Sequence, residues 1–239
     1  MLLLNQNNLG EQALNKIAEM ALYSQFNDAK QLRVKVKTDP NLLAQGKLAS
    51  LSIDGEGLVS HKNLRMQQMQ LQMRDIAVSP FKALMGNIEL IEPTRGTACV
   101  VLTKADFNRA FNTQCLSDRA SLLGVKLESV HCHLLDSGKL QIEASLHHRS
   151  AGESPTVTLE AKPKITPQTG EVTLTQVEYT QGKPPSSELT DILVNKAREV
   201  LSLRNFEMRG ISLRVQSLEV RGGSLRLHAI AKMTHFPSK

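Results

Sequence analysis

Aromatic side chains are nearly missing from this chain. They make up 3% of its 239 residues, with no Trp and two Tyr. Proteins that grip single-stranded nucleic acid stack bases on aromatic rings, so that class loses its usual platform and no nucleic-acid partner is expected. Nor does any window approach the roughly 18 consecutive apolar residues of a membrane-spanning helix. The three cysteines, Cys99, Cys115 and Cys132, lie far apart without a C-x-x-C pair, which predicts reduced thiols in a reducing compartment. The opening MLLLNQNNLGEQ has no basic n-region and only a short apolar run, so no secretory signal is expected and the location read from it is cytoplasmic, peripheral to a membrane. There is no polybasic tail, no Walker loop, no G-x-G-x-x-G and no G-x-S-x-G. Common nucleotide enzymes and hydrolases therefore lose support, and no cofactor is expected.

Aliphatic residues take over where the aromatics are missing. Hydrophobic residues reach 41%, enough for a packed core, with Met as an adaptable filler. A net charge of +6 suits an anionic membrane surface or an ordinary solvated exterior. The length allows one large domain or two small ones; the expectation is a single domain over 1–239.

The stretch that says most is Leu64–Val78, LRMQQMQLQMRDIAV. Leu64 and Met66, then Met69, Leu71 and Met73, then Ile76 and Val78 alternate with polar residues. As a strand it would be roughly 50 Å long at about 3.3 Å per residue. A helix is the rival, because Met66, Met69, Met73 and Ile76 also fit a helical stripe and the composition favours helix. That helix would leave Leu64, Leu71 and Val78 on its opposite side. The strand reading needs slips at Gln67-Gln68 and Arg74-Asp75, each the signature of a β-bulge, and bulges bend a strand. The preceding run GKLASLSIDGEGLV (46–59) and the polar turn 60–63 complete a hairpin pattern, which favours the strand.

Around this hairpin the pattern predicts an α+β chain. A helix over about 9–24 carries a stripe of Leu9, Ala13, Ile17, Met20 and Ala21, widened by Leu14, Ala18 and Leu22; it is expected to pack on the protein body. Strands are expected at 32–37, 88–90 and 98–102, then a helix opened by the capping box Thr103…Asp106, with Phe107, Ala110 and Phe111 inward. Asp136-Ser137-Gly138 turns a hairpin. Gly182 to Ser187 breaks the chain before the main C-terminal helix, about 187–204, with Leu189, Ile192, Leu193, Ala197, Val200 and Leu201 as its stripe. The last hairpin, turned at Gly222-Gly223, repeats the design of the first, including a slip after Val215.

Candidate chemistry is sparse. His131 and His133 share one strand face, and His147 and His148 lie on the partner arm. Pairing through 136–138 sets His131 opposite roughly Ala144, several residues from His147, so no metal site is assigned. Arg214, Arg221 and Arg226 alternate with inward apolar residues and decorate an outer face, where they could meet anionic headgroups.

GKLASLSIDGEGLV (46–59), LRMQQMQLQMRDIAVSP (64–80) and ACVVLTKADFNRAF (98–111) together resemble the LmeA-like family of bacterial phospholipid-binding proteins. Order and spacing fit across most of the chain. The family is similar to the tubular lipid-binding superfamily, so the resemblance implies long, strongly curved antiparallel sheets wrapped around helices, and binding or transfer of lipid without catalysis. It carries no catalytic residue over. A long apolar trough suits an acyl chain, whose burial is worth about 0.8 kcal/mol per CH₂. The residues read as its lining are Met66, Met69, Leu71, Met73, Leu213, Val215, Leu225 and Leu227. The partner is thus a phospholipid or other acyl lipid, with Arg214, Arg221 and Arg226 at the headgroup or membrane surface. Two alternatives stay open: a structural or interaction protein with a closed core and a basic face, and a metal-dependent enzyme at the histidines.

Overall fold

Alternation wins over helix propensity in the segment that decides the architecture. The computed structural model describes residues 6–85, 88–112, 120–122, 125–148, 156–182 and 186–236. In it Lys47–Val59 (β2) and Arg65–Ala77 (β3) are strands of 13 residues each, paired antiparallel. The other elements are α1 (Gln6–Tyr23), β1 (Gln31–Lys37), α2 (Pro40–Ala44), α3 (Pro80–Leu84), β4 (Thr94–Thr103) and α4 (Lys104–Phe111). They are followed by β5 (Val125–Leu134), β6 (Leu140–His148), β7 (Thr156–Ile165), β8 (Val172–Gln181), α5 (Ser187–Leu201), β9 (Ile211–Arg221) and β10 (Ser224–Met233). One open sheet has the order β1-β2-β3-β4-β10-β9, and a second has the order β5-β6-β7-β8. The chain divides into two units, Met1–Val100 with Phe206–Arg214 and His228–Lys239, and Val101–Asn205 with Val215–Leu227.

In the first unit, the two slips in β3 fall where the alternation breaks, but they are not bulges. The register from Lys47↔Ala77 to Val59↔Arg65 gains and loses no residue. Instead both strands change phase together. Leu48 and Leu51 face inward three residues apart, opposite Ile76 and Met73; Gly55 and Leu58 do the same opposite Met69 and Met66. The expected extra residue is absent because the partner strand makes the same step at the mirrored position. Each step is eased by one residue in the left-handed region, Asp75 (φ 51°) at the first and Gly57 (φ 61°) at the second. At Gly57 a Cβ would lie 2.9 Å from the Lys30 Cβ. Gly96 in β4 answers a different need: a Cβ there would fall 2.1 Å from the backbone oxygen of Gln72, so only glycine permits this approach to β3.

Helix α1 begins and ends close to the expected positions and turns only part of the expected stripe inward. Ala18, Ala21 and Leu22 are buried, whereas Ile17 and Met20 are 40% and 49% exposed. The reason is polar. Asn15 turns inward and its Oδ1 accepts the Val36 N–H at 2.6 Å, satisfying a backbone donor on the edge strand β1. The side chains of Leu9, Ala13 and Leu14 lie outside the described residues. Asp39 caps α2, accepting from the N–H groups of Asn41 and Leu42, with Pro40 as its first residue.

In the second unit, the Thr103–Asp106 capping box is present and buries Phe107, Ala110 and Phe111. From the same helix Asn108 and Asn112 reach the edge of β5. Asn112 accepts the Val130 N–H at 3.0 Å and donates to the Val130 carbonyl at 2.7 Å; Asn108 accepts the Cys132 N–H at 2.7 Å. Side chains four residues apart on a helix thus substitute for a neighbouring strand. Here true bulges occur. β5 carries one extra residue, Glu128, against β6, and β8 shifts twice against β7, with Gln176 at φ 52°. Helix α5, capped by Ser186, buries Leu189, Leu193, Val194, Ala197, Val200 and Leu201. It stops at Leu201, and Leu203–Asn205 form a separate 3₁₀ turn. Gly222 and Gly223, both at positive φ, make the two-residue turn between β9 and β10.

Candidate lipid-binding site

The apolar wall of the first unit is built in rows across three strands. Register places Val36, Leu51 and Met73 side by side, then Val34, Ile53 and Leu71, then Leu32, Gly55 and Met69, with Leu58 beside Met66. Gly55 has a role in this surface. Leu58 folds over it, and its Cδ1 sits 2.4 Å from where a Cβ on Gly55 would stand. The four expected lining residues of β3, Met66, Met69, Leu71 and Met73, are at most 1% exposed. Val34, Val36, Leu51 and Ile53 belong to the same wall without having been singled out, although the alternation that marks β3 marks them too.

The remaining lining candidates fall on β9 and β10. Leu213 is in the first unit; Val215, Leu225 and Leu227 are in the second, and all are buried. Every candidate therefore faces a core, and in this structure the Met face is covered.

Outward, β3 presents Gln68, Gln70, Gln72 and Arg74 to solvent. Of the three arginines, Arg221 and Arg226 border one shallow concavity together with Glu219 and Ser224. Arg214 is exposed on β9, in the other unit.

The histidines do not converge. His131 stands opposite Glu143, one position from the expected Ala144, and His147 stands opposite Lys126 with Nδ1 3.7 Å from Glu128. Among the described residues no three His, Cys, Asp or Glu side chains come together as metal ligands. Cys132, between His131 and His133, is fully buried, and burial pushes its thiol up from 9.0 to about 12 against a small opposing effect of Lys104. A thiol held protonated to that pH is a packing residue rather than a nucleophile.

Sequence reasoning missed one exposed apolar cluster. Phe81, Met85 and Ile91, in the connector from β3 to β4, are 73%, 74% and 66% exposed. Their spacing forms no long stripe, so only exposure reveals them. Among the described residues no helix is long and apolar enough to cross a membrane.

Compared with protein families, residues 6–230 match the model of LmeA-like phospholipid-binding proteins. The chain belongs to the LmeA-like phospholipid-binding family. That match covers nearly the whole chain, both units included. No curated protein and no solved structure matches it. For a member of the LmeA-like family, the long buried Met wall is the part of the molecule whose chemistry suits a lipid, since thioether side chains repack around chains of variable shape.

Proposed function

We propose that this protein binds a phospholipid, or a similar acyl lipid, non-covalently, and that it acts by binding or transfer rather than by catalysis. The observation that carries the reading is the Met-rich inward face of β3, continuous with the aliphatic rows of β1 and β2, in a chain of the LmeA-like family. In the first unit acyl carbons would lie along Met66, Met69, Leu71, Met73 and Leu213, and in the second along Val215, Leu225 and Leu227. The open antiparallel sheet would wrap the lipid in the tubular manner. Because these side chains are buried, entry requires a local opening that exchanges side-chain contacts for lipid contacts. Each buried CH₂ returns about 0.8 kcal/mol, so an ordinary acyl chain outweighs a local opening of several kcal/mol. Arg214, Arg221 and Arg226 would receive an anionic headgroup, with Glu219 moderating the second two. Buried Cys132 fits a reducing, cytoplasmic setting beside a membrane.

Organic extraction of the purified protein, followed by mass spectrometry, is expected to release phospholipid, and the stripped protein to compete for a fluorescent phospholipid. Protein that carries no lipid and fails to compete would overturn the proposal. It would favour instead the closed-core interaction protein, for which the full burial of the Met face also speaks.

A further inference from the structure

We infer that the β3–β4 connector is a membrane-docking tip that inserts Phe81, Met85 and Ile91 into the interface of a lipid bilayer. The connector is held as a unit. Val78 and Leu90 form an antiparallel bridge, the Ser79 N–H donates to the Glu89 carbonyl, and the Ile91 N–H donates to the Ala77 carbonyl at 3.0 Å. Helix α3 springs from this base, and Lys82 pairs with Glu89. Phe81 and Met85 are one helical turn apart and so project from the same side. Three large apolar side chains, each about two-thirds exposed or more, thus emerge from a braced, charged collar.

The area argues for lipid over protein. Together the three side chains expose roughly 400 Å², the scale of the largest apolar patch on an ordinary monomer. A stable protein interface needs about 800 Å² per partner, about twice what these three side chains offer. Shallow insertion needs no matching surface and takes an aromatic and two aliphatic tips readily. Charge narrows the kind of bilayer. Lys82 is matched by Glu89, and the one charge left in the connector is the carboxylate of Glu92. The collar therefore has no excess of positive charge, and docking depends on apolar insertion rather than on anionic lipid. The connector contains none of Arg214, Arg221 and Arg226. The inference rests on the phospholipid-binding reading for its purpose, namely to bring the protein to its lipid.

The full chain lacks Trp, so Phe81→Trp introduces a single indole reporter. Mixed with phosphatidylcholine vesicles, this variant is expected to show a blue-shifted emission that brominated phosphatidylcholine quenches. Flotation of the native chain should change little when phosphatidylglycerol is added or salt is raised. Phe81→Ser with Met85→Ser should lower vesicle binding about tenfold or more, while Ile230→Ser, on an exposed strand position, should not. An unshifted indole, or flotation that needs anionic lipid and vanishes in salt, would overturn the inference. So would a Phe81→Ser change in oligomeric state with no vesicle binding, which would assign the patch to a second copy. Lipid extracted from the same preparations separates the two proposals. Phospholipid present with an unshifted indole defeats only the docking tip; no lipid and no uptake with vesicle docking intact defeats only the binding reading.

Discussion

The β2–β3 hairpin and the β5–β6–β7–β8 sheet meet the same problem, a break in apolar alternation, and resolve it differently. In β2–β3 both strands step out of phase at mirrored positions and the register survives from end to end. In the second sheet the step is taken by one strand alone, at Glu128 in β5 and twice in β8, and the register shifts each time. The difference lies in what each strand must bury. β2 and β3 lie inside a sheet and share one apolar wall, so a step in one must be matched in the other to keep Met opposite aliphatic. β5 and β8 are edge strands, where an unpaired residue disturbs one neighbour only.

The sharpest way to break this comparison is to delete residues. Removing Gln68 alone sets β3 one residue short of β2, so the two strands no longer step together and their register shifts on one side of the cut. A loss of more than about 4 kcal/mol, or of cooperative unfolding altogether, is expected in urea melts. Removing Gln68 together with its partner Glu56 should recover most of that loss. Removing Glu128, the extra residue in the backbone register with β6, should cost only about 1–2 kcal/mol. Equal damage from the Gln68 and Glu128 deletions, or no rescue in the double deletion, would undo the distinction.

A gentler comparison uses the left-handed residues at the steps. Gly57→Ala must place a Cβ 2.9 Å from the Lys30 Cβ at φ 61°, and is expected to cost about 1–3 kcal/mol. Gln176→Gly, in the β8 bulge, relieves a side chain held at φ 52° and should raise stability by about 0.5 kcal/mol. Thermal melts of the two variants moving in the same direction would contradict the assignment of these residues as the places where each strand turns.

One effect is confined to alkaline solution and leaves stability near neutral pH unchanged. The Cys132 thiol is raised by burial from 9.0 to about 12, so above pH 9 the unfolded chain loses a proton that the folded one keeps. Its contribution is therefore complete below pH 9 and is lost as pH rises toward 12. The slope is at most about 1.4 kcal/mol per pH unit. Cys132→Ala should flatten the decline of stability over that interval relative to the native chain. Parallel curves would show that the thiol is not held in its protonated form.

Local signals were legible because local physics decides them. The capping box at Thr103, the Gly222-Gly223 turn, the cap at Ser186 and the Leu64–Val78 strand all stand where pattern and turn chemistry put them. The exposure of Ile17 and Met20 on α1 was not legible, because Asn15 answers a backbone donor on β1 that no helical stripe reveals. Nor were the β8 bulges, since residues 175–180, TQVEYT, are largely exposed and carry no clear alternation to break. The slips in β3 were visible, but their type depended on β2 making the same step. The Met face was legible as a buried face. Alternation records that a surface is covered and is silent on whether a side chain or an acyl chain covers it.

The asparagines at the end of α4 also make the edge of the second sheet depend on side-chain chemistry. Asn112 satisfies both backbone groups of Val130 with one amide, accepting with its oxygen and donating with its nitrogen. Hydrolysis of that amide leaves a carboxylate, which has no donor, facing the Val130 carbonyl. The guard on β5 would become a repelling group, and the edge strand would be free to pair with another chain. The Val130 stretch of the β5 edge thus hangs on one amide group, while Asn108 covers the neighbouring Cys132 N–H.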